Sequence, residues 1–123
     1  MARKKIDGDT LELLNVINES ILEKKGENII NLNLQNIENA ITKYFVICSG
    51  NSNTHVNAIA EYVEFHVREK LKEKPWKKEG FENSEWILLD YVTVVVHIFQ
   101  NQSREFYRLE QLWADAEVIP VKE

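Results

Sequence analysis

Five consecutive residues, Tyr44-Phe45-Val46-Ile47-Cys48, constrain this chain most. A continuous run of β-branched and aromatic residues without alternation reads as a strand buried on both faces, which happens where a sheet is covered by other elements on each side. The run ends in the turn-forming cluster Ser49-Gly50-Asn51-Ser52-Asn53, and the hydrophobic period then changes. From about Thr54 to Lys72, Val56, Ile59, Ala60, Val63, Val67 and Leu71 recur at spacings of three and four, the stripe of an amphipathic helix, with Ser52 or Asn53 as its cap. Glu64 and Arg68 form an i,i+4 pair on its polar face, and Lys74-Pro75 ends it. A buried strand followed by such a helix predicts an α/β fold.

The flanking segments extend this pattern. Asp9 or Thr10 opens a first helix, with Glu12 completing a capping box after Asp9. Leu14, Ile17 and Ile21 line the helix, and Gly26 offers a left-handed exit. Ile30, Leu32 and Leu34 alternate with Asn31 and Asn33 as a half-exposed strand, and residues 35–43 read as a loop or short helical turn. After a polar segment to Ser84, Glu85–Asp90 and Val94–Phe99 read as a hairpin. A last helix starts near Ser103, with Phe106, Leu109, Leu112 and Trp113 on one side. A right-handed crossover from the Tyr44 strand to the Trp86 strand fits the connection through the long helix. The 123 residues make one domain, 1–123, with a mixed sheet flanked by helices.

Composition narrows the function classes. Fifteen Lys and Arg against twenty Asp and Glu give a net charge of -5, poorly suited to wrapping nucleic acid and better suited to a basic protein partner. Little or no direct nucleic-acid contact is therefore expected. No apolar stretch approaches the ~20 residues of a bilayer span. The N-terminal Met1-Ala2-Arg3-Lys4-Lys5 lacks an apolar core and reads as neither signal nor transit peptide, which makes a reducing cytoplasm the expected location. Cys48, the single cysteine, forms no internal disulfide and reads as a small buried hydrophobe.

Catalytic patterns are incomplete. Ile47-Cys48-Ser49-Gly50-Asn51 lacks the first glycine of a nucleophile elbow. His55, His66 and His97 fall on different elements with no carboxylate pair at ligand spacing, so no metal or other cofactor is expected. A nucleotidyltransferase-like architecture would need paired acids after the Ser49-Gly50 turn, and residues 51–60 contain none. The one basic cluster, Lys70, Lys72, Lys74, Lys77 and Lys78, is interrupted by Glu69, Glu73, Glu79 and Glu82 and reads first as a solvated helix end. Aromatics gather around Trp86. Alternation puts Trp86, Leu88 and Asp90 on one face and Ile87, Leu89 and Tyr91 on the other; both sets hold apolar residues, so the strand is either buried on both faces or leaves one apolar face for a partner.

Tyr44–Gly50, His55-Val56-x-Ala58-Ile59-Ala60, Trp86-x-Leu88-Leu89-Asp90-Tyr91, Val94–Phe99, Arg104-Glu105-Phe106-Tyr107-x-Leu109-Glu110-x-Leu112-Trp113 and Asp115-Ala116 occur in one order. With these motifs the chain resembles the ribosomal silencing factor, or Iojap-like, family over nearly its whole length. The resemblance implies a fold related to nucleotidyltransferases without their catalytic residues, and a tendency to homodimerise. It implies binding to the large ribosomal subunit at its fourteenth protein, which blocks small-subunit joining and lowers translation when nutrients are scarce. Val92-Thr93 departs from the family's Gly-Asp, placing β-branched residues where a tight hairpin turn wants positive φ. On the motif and on aromatic enrichment at interfaces, Trp86, Leu89, Asp90 and Tyr91, with Lys77 and Lys78 nearby, are the expected partner contacts. Two rivals are a weak magnesium-dependent nucleotidyltransferase using Glu61 and Asp90, and an RNA-binding module using the lysine cluster.

Overall fold

A computed structural model describes residues 7–123, so the N-terminal residues Met1–Lys5 lie outside the described part. The elements run α1 (Asp7–Glu23), β1 (Glu27–Asn33), β2 (Tyr44–Gly50), α2 (Asn53–Leu71), β3 (Lys77–Glu79), β4 (Trp86–Asp90), β5 (Val94–Gln100), α3 (Asn101–Tyr107), α4 (Leu109–Leu112) and β6 (Glu117–Pro120). All six strands join one mixed sheet in the order β3-β4-β5-β2-β1-β6, flanked by helices. β2 and β5 are parallel, and the other neighbours are antiparallel. The excursion through α2 therefore returns to β5, not to the Trp86 strand, which runs antiparallel beyond it. No described helix is long and apolar enough to cross a membrane.

α1 and α2 pack against each other and against one face of the sheet, here the inner face. Leu13, Ile17, Ile21, Val56, Ile59, Val63 and Val67 meet Val46, Cys48, Ile87, Leu89, Val94, Val96 and Ile98 there. α2 begins as expected, with Ser52 Oγ accepting the His55 N–H at 3.0 Å. It ends at Leu71, before Lys74, because Lys72 turns left-handed at φ 60°. β2 runs through Gly50, so Ser49 and Gly50 belong to the strand rather than to a turn.

α1 departs from expectation at both ends. It is already helical at Asp7, so Asp9 does not cap it. At its exit Lys25, not Gly26, takes the left-handed position at φ 64°. Lys25 N–H bonds the Leu22 carbonyl and Gly26 N–H the Ile21 carbonyl, the paired bonds of a Schellman motif. Gly26 is needed for space, since a Cβ there would stand 2.3 Å from Ile21 Cγ2.

β1 is covered on both faces rather than half exposed. Its polar Asn31 is buried because it exchanges two amide hydrogen bonds with Asn18 of α1, at 2.9 and 3.1 Å. Two edge strands, β3 and β6, lie in segments without alternation. Gly80, at φ 93°, lets the chain leave β3 where a Cβ would meet the Trp86 carbonyl. The last helix breaks in two at Arg108, φ 49°, leaving Phe106 and Leu112 exposed while Leu109 is buried.

Candidate docking interface

The register assigns every strand residue a face. Trp86, Leu88 and Asp90 of β4 lie opposite Phe99, His97 and Val95 of β5. These neighbour Ser49, Ile47 and Phe45 of β2, then Ile30 and Leu32 of β1, and all point to the outer face, away from α1 and α2. Leu32, Ile47 and Phe99 form a buried floor with Leu109 and Ala116. Phe45, Trp86 and Trp113 stand half-buried on it. Tyr107, Leu112 and Val118 add exposed apolar surface in the segment that follows β5.

Trp86 is held from three sides. Its indole stacks on Phe99 with centroids 4.8 Å apart, and Tyr107 lies at 4.8 Å. Its Nε1–H donates to His97 Nδ1 at 3.1 Å, which puts the neutral ring's proton on Nε2. Phe45 meets His97 edge-on at 4.6 Å and Trp113 at 5.5 Å. Burial pushes the His97 imidazole down to about 3, so it stays an uncharged acceptor for the indole.

Of the six residues expected at a contact, the outer face collects Trp86, Asp90 and Lys77 and excludes three. Leu89 and Tyr91 point inward and are buried, so neither side chain can meet a partner. Burial raises the Tyr91 hydroxyl, reinforced by Glu64 and Glu73. Lys78 pairs with the inward Leu89 and reaches Glu64 of α2 at 3.0 Å, so Glu64 bonds Lys78 where the sequence pairs it with Arg68. Lys77 sits across from Asp90 on the outer side and pairs with Glu79 at 3.1 Å. Asp90 Oδ1 accepts the Val92 N–H at 2.8 Å and so also holds the β4–β5 turn.

Leu88, Phe45, Tyr107 and Trp113 are the residues of this face that sequence reasoning missed. Leu88 was within reach of strand parity, which already grouped it with Trp86. Phe45 was masked by an all-apolar run, and Tyr107 and Trp113 depend on the break at Arg108.

Residues considered for chemistry have structural bonds. Ser49 is buried and accepts from Arg104 Nη1 at 2.9 Å, and that arginine also donates to the Asn28 carbonyl and pairs with Glu110 at 3.0 Å. His55 Nδ1 accepts the Asn51 N–H, and its Nε2 bonds the Lys24 carbonyl at 2.8 Å. His66 meets Ser20 Oγ at 2.7 Å. Cys48 is fully buried and its thiol is pushed up to about 12, far from a reactive thiolate. Glu61 is on α2 and Asp90 on the opposite side of the sheet, so the two cannot share a metal.

Residues 7–123 match the family described as ribosomal silencing factor during starvation. The chain belongs to the ribosomal silencing factor family. A ribosomal silencing factor of Halalkalibacterium halodurans is 37% identical over 111 residues, 90% of this chain and 93% of that protein. The mouse protein named mitochondrial assembly of ribosomal large subunit protein 1 is 38% identical over 74 residues, 58% of this chain and 32% of its own. A crystal structure of a Chromobacterium violaceum protein superposes with a TM-score of 0.79 at 30% identity, covering 85% of each chain. Membership in the ribosomal silencing factor family associates this chain with the ribosome and with regulation of translation.

Proposed function

We propose that the outer sheet face docks on a basic protein of the large ribosomal subunit, the fourteenth of that subunit, and blocks small-subunit joining by occupying the contact surface. The observation that carries this reading is Trp86, half-exposed on the outer face yet fixed by Phe99, Tyr107 and His97. A large aromatic whose rotamer is already set loses little entropy on binding and makes an interface anchor. Tyr107 lies against it, and Leu88, Asp90, Phe45 and Trp113 share its face, with Lys77 at the rim. A net charge of -5 suits a basic partner.

Strand addition is the other way a sheet can recruit a partner, and both edges oppose it. The Val121 N–H to Ile29 carbonyl bond sets the β1–β6 alternation, so Val118 and Pro120 turn their backbone groups to the free edge, where Pro120 has no donor. β3 is three residues long, carries Lys77 and Lys78, and follows Pro75. A partner is thereby directed to the face. Occluding an interface of ~1,200–2,000 Å² excludes a large competitor without any catalytic step, so no enzymatic activity is assigned. The nucleotidyltransferase kinship and a tendency to homodimerise, which the family resemblance implies, and a cytoplasmic location, which the N-terminal sequence suggests, belong to the same proposal.

Sedimentation with separated ribosomal subunits tests it. The protein is expected to move with the large subunit and to lower the joined fraction. Movement with the small subunit, or unchanged joining at saturating protein, overturns the proposal.

A further inference from the structure

The corner between α2 and β3 lies outside the face just described and has a different character. From Arg68 to Lys78 the sequence holds six cations against two acids, in a chain whose total is -5. Lys70, Lys72, Lys74 and Lys77 are exposed there. Lys70 and Lys74 engage no acid among the described residues, and Lys72 Nζ bonds only the Glu69 carbonyl. Lys78 stands apart, taken up by Glu64 and lying over the Phe81 ring.

Within this cluster Trp76 is 74% exposed and has no ring partner among the described residues. Its backbone is nonetheless fixed. Its N–H donates to the Asp90 carbonyl at 2.8 Å, and Pro75 precedes it. A bare indole presented from a rigid backbone among exposed ammonium groups, of which Lys77 alone is paired with an acid, Glu79, matches a ligand that carries both flat π-surfaces and regularly spaced negative charge.

We propose that this corner binds single-stranded or looped RNA, with a base stacked on Trp76 and phosphates met by Lys70, Lys72, Lys74 and Lys77. Nucleic acid supplies both features at once. An anionic bilayer fits less well, because Trp76 is the one large apolar side chain exposed among the described residues between Arg68 and Lys78, and Glu69, Glu73 and Glu79 are interleaved. Lys77 adjoins Asp90 across the β3–β4 pair, so the corner borders the outer face, and RNA next to a docked ribosomal protein would lie within its reach. That placement rests on the docking proposal; the RNA chemistry does not.

The test titrates full-length protein into a labelled twelve-nucleotide oligouridine at 50 to 300 mM KCl, beside vesicles containing 30% anionic lipid. Affinity is expected to fall with salt at a log–log slope of about -2 to -3, as for four lysines on a single strand. Trp76→Ala is expected to weaken binding about tenfold, and joint Lys→Gln changes at 70, 72, 74 and 77 to flatten the slope toward zero. Unchanged denaturant midpoints verify that these exposed substitutions leave the fold intact. Absence of RNA binding, equal binding by the variants, or preference for the vesicles overturns the proposal. Large-subunit sedimentation of the unmodified protein is measured alongside. Its loss with RNA binding intact strikes the docking proposal alone, and the reverse strikes this one alone.

Discussion

His97 and Trp86 make a unit in which one residue's protonation state sets the other's orientation. The imidazole accepts from the indole only while neutral, and burial holds it so, down to about 3. An unfolded chain takes up that proton near the ordinary value of about 6.5. Between these values the unfolded state binds one more proton than the native state, so His97 removes stability as pH falls, by about 1.4 kcal/mol per pH unit at most. His97→Gln keeps an acceptor for the indole and does not titrate. Its denaturant midpoint is expected to drop less than wild type between pH 6.5 and 4, and parallel declines would show that His97 is not the group responsible. Trp86→Ala removes the anchor itself. Large-subunit binding is expected to weaken by ~2 kcal/mol or more, roughly thirtyfold. Because the side chain is half-exposed, stability should fall by less than the ~3–5 kcal/mol that a core aromatic costs. Near-native binding with a collapsed midpoint would make it a packing residue instead.

Strand β4 shows what alternation can decide. Leu88 and Leu89 are adjacent and chemically identical, yet one faces outward half-buried and the other is in the core. Leu89→Ala is expected to cost ~2–5 kcal/mol of stability, while Leu88→Ala spares most of it and weakens ribosome binding, which denaturation and sedimentation together resolve. The turn after β4 is strained at Val92, φ 77°, where the Thr93 N–H bonds the Tyr91 carbonyl in the rarer form of γ-turn. The sequence marks this position, since a β-branched residue stands in a tight hairpin turn that wants positive φ. Val92→Gly is expected to raise stability by about 1 kcal/mol, read as a higher denaturant midpoint; a lower one would mean the strain is absorbed elsewhere. α2 and β2 were legible because burial imprints a period or an unbroken apolar run. β3 and β6 were not, because their three and four residues are all exposed and pair only because β4 and β1 offer edges. Lys77 and Lys78 diverge for the same reason, since without β3 nothing assigns them faces. Arg108 gives no local sign of its left-handed break.

Across the whole molecule, one face of the sheet carries the core that holds it together and the other carries the surface offered outward. The sequence separated the two within β4 but chose contacts from both, because a motif records which residues recur and not which way they point. Cys48 sits on β2, near the middle of the sheet, fully buried, with a thiol pushed up to about 12. Labelling by a thiol reagent at pH 8 therefore requires the sheet to open. The native rate is expected to be slow and to rise with denaturant as steeply as global unfolding does; fast labelling of the native protein would mean that β2 opens locally. The parallel β2–β5 pairing also has a consequence in time. Tyr44 is joined to Val94, fifty residues further along the chain, so β2 cannot complete its hydrogen bonds until most of the protein exists. At ~5–20 residues per second, a nascent chain holds that apolar edge bare for about 3–10 s. Slowing translation between residues 51 and 94 with rare synonymous codons should lengthen this interval and increase the aggregated fraction, with no change in the protein finally made.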